Sequence, residues 1–287
     1  MKSPKLLIVV ASAGVDPWLS IEHQAQESIL LSMNGLEADV VWVEASDSAS
    51  RLWRYKLLDY LFQAQLNLMY AEIPLLRRVV KRLWRRFGFN SLGSRALRRL
   101  TDRATSAGAE AVGTNRIRLN LPRQMSLHGP RTVEIFKYAL HNYDFDYLLR
   151  ITSTCLPVAS ELVKLINGLP RNRVYAGQKL RFAGTDFNSG SSLLFSRDVV
   201  QRIVEERHDY RYNVYEDVGL GHLIKQQNLA EMFSMRRIDV TDASQIPLTE
   251  VSNWPAVPIV RCKAESPLTT QSKPVVTIMK ALVPHLQ

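Results

Sequence analysis

Two acidic residues in succession, Glu216-Asp217, stand directly before Val218-Gly219-Leu220-Gly221, at a place that reads as the start of a helix. A helix N-terminus stabilises such charge, and a carboxylate held beside a substrate takes the proton of a hydroxyl as its oxygen attacks carbon. The same pair also serves as plain capping charge, so its company decides its meaning. Upstream, Ser189-Gly190-Ser191-Ser192 reads as a small-residue turn, where backbone approaches a sugar closely and its amides and hydroxyls bond sugar hydroxyls. His222, just past the acidic pair, either faces the same site or packs within the fold.

The elements that must position these groups follow from periodicity. Leu6 to Val10 reads as a first, buried strand, Ser20 to Met33 as a helix, and Ala38 to Glu44 as a second strand. This is the opening of an α/β nucleotide-binding sheet, with ligands beyond the carboxyl ends of the strands, near Ala11, Ser12 and Ala13 and near Glu44 to Asp47. The pattern resumes with Arg116-Ile117-Arg118-Leu119. His128-Gly129-Pro130 marks a turn, Arg131 to His141 a helix, and Tyr147-Leu148-Leu149-Arg150 a strand.

Four pieces between Tyr143 and Asn228 then fall in a recognisable order. They are Tyr143-Asp144-Phe145-Asp146-Tyr147-Leu148-Leu149-Arg150, Val174-Tyr175-Ala176-Gly177, the run Asn188 to Val200 with its Ser196-Arg197-Asp198 helix start, and Glu216-Asp217-Val218-Gly219-Leu220-Gly221. Together they resemble the fringe and β-1,3-galactosyl/N-acetylglucosaminyl-transferase group of GT-A glycosyltransferases and its bacterial relatives. The resemblance implies a mostly parallel central sheet flanked by helices. It also implies a nucleotide-sugar donor, UDP first, and a glycan or lipid-linked acceptor. Asp217 is then the base of an inverting displacement, with Glu216 orienting it or the acceptor.

The chain departs from that group at one decisive place. Where the group carries its acidic DxD triplet, this sequence has Thr152-Ser153-Thr154. Hydroxyls are poor ligands for Mn²⁺ or Mg²⁺, so the expectation is a metal-independent enzyme with no cofactor, although either ion stays open. Arginine or lysine can take over the leaving diphosphate's charge. Arg261 and Lys263 are candidates, Arg150 a further one, and plain surface cations the alternative for the tail pair. His285 lies where some relatives place a metal ligand.

Composition bounds the rest. With 46% hydrophobic and 22% charged residues among 287, the chain is expected to be one folded domain with an insertion at about 50–105 and a C-terminal tail at about 245–287. Two cysteines, Cys155 and Cys262, favour a reducing compartment, hence the cytoplasm. The apolar stretch at Leu6 suits a strand better than a secretory signal. Loss of the acidic triplet leaves open an inactive binding relative, and the basic segment alone leaves open nucleic-acid binding, without a recognisable module for it.

The net charge of +10 is concentrated, since 13 Arg or Lys face three acids between Arg51 and Thr105. In Pro74 to Phe87 the residues Leu75, Leu76, Val79, Val80, Leu83, Trp84 and Phe87 share one side of a helical wheel, and Arg77, Arg78, Lys81, Arg82, Arg85 and Arg86 the other. Such a helix packs on the domain or lies on an anionic membrane at its cytoplasmic face. The membrane reading predicts flotation with anionic but not neutral liposomes. Salt at about 0.5 M and joint replacement of Arg77, Arg78, Lys81 and Arg82 by Gln should weaken it. Wild-type protein that ignores anionic liposomes at low salt places the helix against the fold.

Overall fold

A computed structural model of the chain describes residues 4–11, 18–45, 60, 108–121, 128–182, 185–210, 214–241, 257–263 and 272–286. The basic helix expected at Pro74 to Phe87 lies outside the described residues, as do Ser12, Ala13 and Asp47. In chain order the strands are β1 (Leu6–Ala11), β2 (Ala38–Ala45), β3 (Ala109–Gly113), β4 (Arg116–Leu119), β5 (Tyr147–Thr152), β6 (Cys155–Pro157), β7 (Val174–Phe182), β8 (Thr185–Ser196), β9 (Glu231–Ser234), β10 (Arg237–Val240) and β11 (Ile259–Cys262). The helices are α1 (Trp18–Ser32), α2 (His128–Asn142), α3 (Ala159–Gly168), α4 (Arg197–Glu205), α5 (Glu216–Gln226) and α6 (Ser272–Leu282).

Eight strands form one sheet in the order β3-β4-β2-β1-β5-β8-β7-β9. β4, β2, β1 and β5 are parallel neighbours, β8 runs against β5 and β7, and β9 is parallel to β7. Six of the eight strands therefore point one way, with β3 and β8 reversed. The fold is mixed α/β with a large, mostly parallel sheet between helices.

The run Leu6-Leu7-Ile8-Val9-Val10 is buried at every position because both faces of β1 are covered. Leu6, Ile8 and Val10 meet Ile21, Ala25 and Ile29 of α1, Leu162 and Ile166 of α3, and Val275 and Met279 of α6. Leu7 and Val9 meet Phe136 and Ala139 of α2, Val199 and Ile203 of α4, and Leu220 and Leu223 of α5. The stretch expected as a tail is thus partly core, since β11 and α6 both contribute buried apolar residues. Among the described residues no helix is long and apolar enough to cross a membrane.

After β5 the chain turns at Ser153-Thr154, and β6 leaves the large sheet for a small one ordered β10-β11-β6. Cys262 N–H donates to Thr154 O at 2.9 Å, which fixes that turn against β11.

Two expectations are corrected. Ser189-Gly190-Ser191-Ser192 is not a turn but the middle of β8, because pairing with β5 on one side and β7 on the other holds its backbone extended. His128-Gly129-Pro130 is not a turn before a helix but the first turn of α2. Proline is well tolerated there, and a glycine is needed because a Cβ at Gly129 would lie 2.7 Å from the Tyr210 ring.

The last glycine of Glu216-Asp217-Val218-Gly219-Leu220-Gly221 has a packing reason. A Cβ at Gly221 would sit 2.5 Å from Phe187 Cβ and 2.9 Å from the Asp186 carbonyl oxygen, so this glycine lets α5 close on β8. Gly→Ala within a helix ordinarily stabilises by up to about 1 kcal/mol. Here the clash with backbone should reverse the sign, and Gly221→Ala should destabilise by about 1–3 kcal/mol in denaturant titration. An unchanged or raised midpoint would show that α5 is not seated this closely.

Candidate active site

A cavity of about 380 Å³ opens at the carboxyl ends of β1, β2, β4 and β5, on the face covered by α2 and α5. Its wall contains Ala11, Glu44, Ala45, Leu119, Arg150, Thr152, Ser153 and Thr154 from the parallel strands and the turn after β5. Ser189, Gly190 and Ser191 come from β8, Tyr215, Glu216 and Asp217 from the start of α5, and Arg261 from β11. The start of α2 adds His128, Arg131, Thr132 and Ile135. Residues up to 250 positions apart in sequence thus meet because the parallel strands end together, as Ala11 and Thr152 do in register.

Arg150 and Glu216 form the centre of this wall. Arg150 Nη2 donates to Glu216 Oε2 at 2.7 Å, with side chains only 6% and 7% exposed. The Thr132 hydroxyl of α2 donates to the other carboxylate oxygen, Oε1. Burial pushes the Glu216 carboxyl up from the usual range, opposed by Arg150 and by the Thr132 hydrogen bond. Three elements, β5, α2 and α5, are thereby joined through one carboxylate.

Asp217 occupies the next position and turns toward the cavity. Its Oδ2 accepts from Gly190 N–H at 3.0 Å and its Oδ1 from Val218 N–H at 2.9 Å. Burial raises its pKa, and the two amides moderate the rise. Each oxygen keeps a lone pair beyond its amide, so a half-buried carboxylate of raised basicity faces the cavity beside β8.

The β8 segment is held from behind. Arg237 Nη1 donates to Ser189 Oγ at 3.0 Å and to Ser191 Oγ, while Arg237 Nε donates to Asp239 Oδ1 at 2.7 Å. Cys155 Sγ donates to Ser191 O at 3.3 Å. Hydrogen bonds from Arg237 and Lys263 keep Asp239 ionised to lower pH than usual, against the opposing effect of burial. The small sheet is thus bolted to the residues that face the acidic pair.

Of the candidate site residues, Ala11, Glu44, Arg150, Thr152, Ser153, Thr154, Ser189, Gly190, Ser191, Glu216, Asp217 and Arg261 line the one cavity. Lys263 does not, because its ammonium is paired with Asp239. His222, in the second turn of α5, does not line it either, and His285 belongs to the final 3-10 turn, Val283–His285. His128, Arg131, Thr132 and Arg237 were not anticipated. The absence of any acid in the first turn of α2, next to Arg131, was the available signal for the first three.

The chemistry of the wall does not fit a divalent cation. The Thr152 and Thr154 hydroxyls lie 3.1 Å apart and engage each other. Of the lining carboxylates, Glu44 is paired with Arg116 and Arg118 and Glu216 with Arg150, which leaves Asp217, with a lone pair on each oxygen beyond its amide, as a single carboxylate facing the cavity. Among the described residues, Glu206, His208 and Asp209 could share an ion, and none of them lines the cavity.

No protein-family model matches the chain, and no curated protein matches it in sequence. Among the solved structures that follow a similar course are three glycosyltransferases. GlyE of Streptococcus pneumoniae is 10% identical with a TM-score of 0.42, over 96% of this chain and 60% of that one. The galactosyltransferase LgtC, crystallised with donor and acceptor sugar analogues, is 10% identical with a TM-score of 0.42, over 96% of this chain and 95% of its own. Mouse xyloside xylosyltransferase 1 is 11% identical with a TM-score of 0.37, over 94% of this chain and all of its own.

Removing one partner of a buried ion pair leaves the other charge stranded, at a cost of about 3–5 kcal/mol. Arg150→Met should therefore destabilise by that order in chemical denaturation, and Glu216→Gln in the same chain should recover a substantial part. Equal losses in the single and double variants would mean that the two side chains are not coupled.

Proposed function

We propose that the protein is a GT-A glycosyltransferase that moves a sugar from a nucleotide-sugar donor, a UDP-sugar first, onto a glycan or lipid-linked acceptor. The observation that carries this reading is Asp217, a carboxylate of raised pKa facing a cavity at the carboxyl ends of parallel strands, beside the Ser189-Gly190-Ser191 strand segment. The nucleotide fits the end where Ala11, Glu44 and Ala45 lie, by the general placement of ligands in such sheets. The acceptor fits the side where Asp217 meets Gly190.

In the proposed reaction, an acceptor hydroxyl oxygen attacks the anomeric carbon while Asp217 takes its proton. The bond from that carbon to the diphosphate oxygen breaks, and the nucleoside diphosphate leaves with the electron pair. The product has inverted configuration. Glu216 does not compete as base, since Arg150 and Thr132 occupy its oxygens and it acts as a positioning residue for Asp217. Arg261 stands on the wall to meet the leaving charge, and no step is assigned to a metal.

The defining experiment is a thermal-shift panel of nucleotide sugars with and without EDTA, followed by transfer assays with the donor that binds. Binding and turnover should both survive chelation. Binding without turnover toward any acceptor would leave a sugar-nucleotide-binding protein, and no binding at millimolar donor would remove the transferase.

Asp217→Asn should keep the fold and donor affinity and cut turnover by at least about 10²-fold, the share of a positioned base. A base works only when unprotonated. Because burial raises the Asp217 pKa, wild-type kcat/KM should fall as pH drops through a midpoint above the usual carboxylate range. A pH-independent acid limb, or near-normal turnover in the variant, would refute this base.

A further inference from the structure

The Ser189-Gly190-Ser191 segment is extended between paired flanks, yet it has no register partner of its own. Toward β7 the ladder pairs Leu193 with Gly177 and then Asn188 with Lys179, so Ser189 to Ser192 stand against Gln178 alone. Toward β5 the pairing stops at Ile151 and Ser192. Such an excess is a bulge, a device that re-aims groups beside sites. Gly177 closes its neck, since a Cβ there would lie 2.7 Å from Asn188 Cβ and 3.1 Å from the Ser192 carbonyl oxygen. The bulge sets Gly190 N–H on Asp217 Oδ2 at 3.0 Å. A segment without ladder bonds must take its position from other partners.

The strongest of those partners is Arg237, which comes from β10 of the small sheet with its side chain 4% exposed. Its Nη1 donates to the hydroxyls of both Ser189 and Ser191, at 3.0 Å to the first. Its Nε and Nη2 grip the two oxygens of Asp239 at 2.7 and 3.3 Å, and Lys263 pairs with the same carboxylate. A guanidinium divides its donors in a fixed plane in this way, whereas an ammonium is a single point of charge. Cys155 Sγ adds a weaker bond to Ser191 O at 3.3 Å. The contacts run in one line, from Asp239 through Arg237 and two serines to Gly190 N–H and Asp217. Arg237 itself does not line the cavity.

We propose that Arg237 is a positioning residue for Asp217, one that holds both serines and so keeps the Gly190 amide on the carboxylate. The small sheet thereby governs the acid from behind the cavity. This relay deepens the transferase reading and rests on it only for the role of Asp217 as base. The Gly190 amide favours the charged form of Asp217, against burial, so losing it pushes the carboxyl further up.

The test is an NMR titration of the aspartate carboxyl carbons in the full chain, with the Asp217 signal assigned by its loss in Asp217→Asn. Arg237→Met should raise the proton affinity of Asp217 about tenfold, the worth of one hydrogen bond to a charged group. Asp239 keeps Lys263 as partner in this variant, so no acid is stranded. Joint Ser189→Ala and Ser191→Ala keeps the guanidinium and should raise the affinity by a similar factor. Arg237→Lys keeps the charge without the fork and should not restore the wild-type midpoint. All these variants leave in place the other titratable or charged groups around Asp217, which are Glu216 on α5, Arg150 on β5, Tyr175 on β7, Arg261 on β11, and His128 and Arg131 on α2. A midpoint that is unmoved or lower in Arg237→Met overturns the relay. So does a shift that Arg237→Lys cancels or that the serine variant lacks, since the charge then acts through space. If Arg237→Met does not fold, the serine variant decides alone. Where a donor is transferred, the acid limb of kcat/KM should move up with the NMR midpoint. A raised midpoint in a chain that transfers sugar from no donor keeps the relay and loses the transferase. Transfer with an unmoved midpoint in the variants does the reverse.

Discussion

The buried pair of Arg150 and Glu216 is the interaction on which the geometry of the cavity depends. Taking two charges out of water is expensive, and their attraction offsets this only where the remaining polar atoms are also met. Thr132 supplies part of that from α2. The pair therefore does less for net stability than for uniqueness of position. It fixes the first turn of α5 against the middle of the sheet, so the adjacent Asp217 has one place to go. Gly190 completes the fit, because a Cβ there would lie 3.3 Å from the Asp217 carboxylate, at the limit of ordinary contact.

Around that pair the charges are sorted. The acids collect at the start of α5, where amides of Gly190 and Val218 hold Asp217, and the cations collect on β5 and α2. Burial acts on both sides of this division in the same sense, disfavouring charge, and so raises the pKa of Asp217 and lowers that of His128. A carboxylate made more basic and a histidine kept neutral can stand close to two guanidinium groups without the acid being silenced.

Local pattern carried much of the fold into view. The unbroken apolar run of β1, the alternation of β4 and the acidic start of α5 are signals written within a few residues, and each element lies where its pattern puts it. What the pattern could not show is pairing over distance. Arg150 and Glu216 are 66 positions apart, Thr132 and Glu216 84, and Arg237 and Ser189 48. Arg150 read as a minor candidate for this reason, and Lys263 as a stronger one although Asp239 holds it. The small-residue tract of β8 misled in the opposite direction. Glycine and serine favour turns on their own, and only strands on both sides make them extended.

The hydroxyls of Thr152, Ser153 and Thr154 on the cavity wall acquire a physical sense from their neighbours. A divalent ion and a pair of buried arginines answer the same need, which is positive charge at an oxyanion where water is excluded. An ion demands carboxylates to hold it, and those carboxylates demand that no arginine claim them first. Here Glu216 is claimed by Arg150 and Glu44 by Arg116, so Asp217 alone among the lining acids turns free lone pairs to the cavity. Acids at Thr152 or Thr154 would stand on the wall that Arg150 shares, where they would compete with Glu216 for its guanidinium. The hydroxyls of Thr152 and Thr154 add no negative charge to the wall that Arg150 shares, so its guanidinium stays with Glu216 and the geometry of the acidic pair is kept.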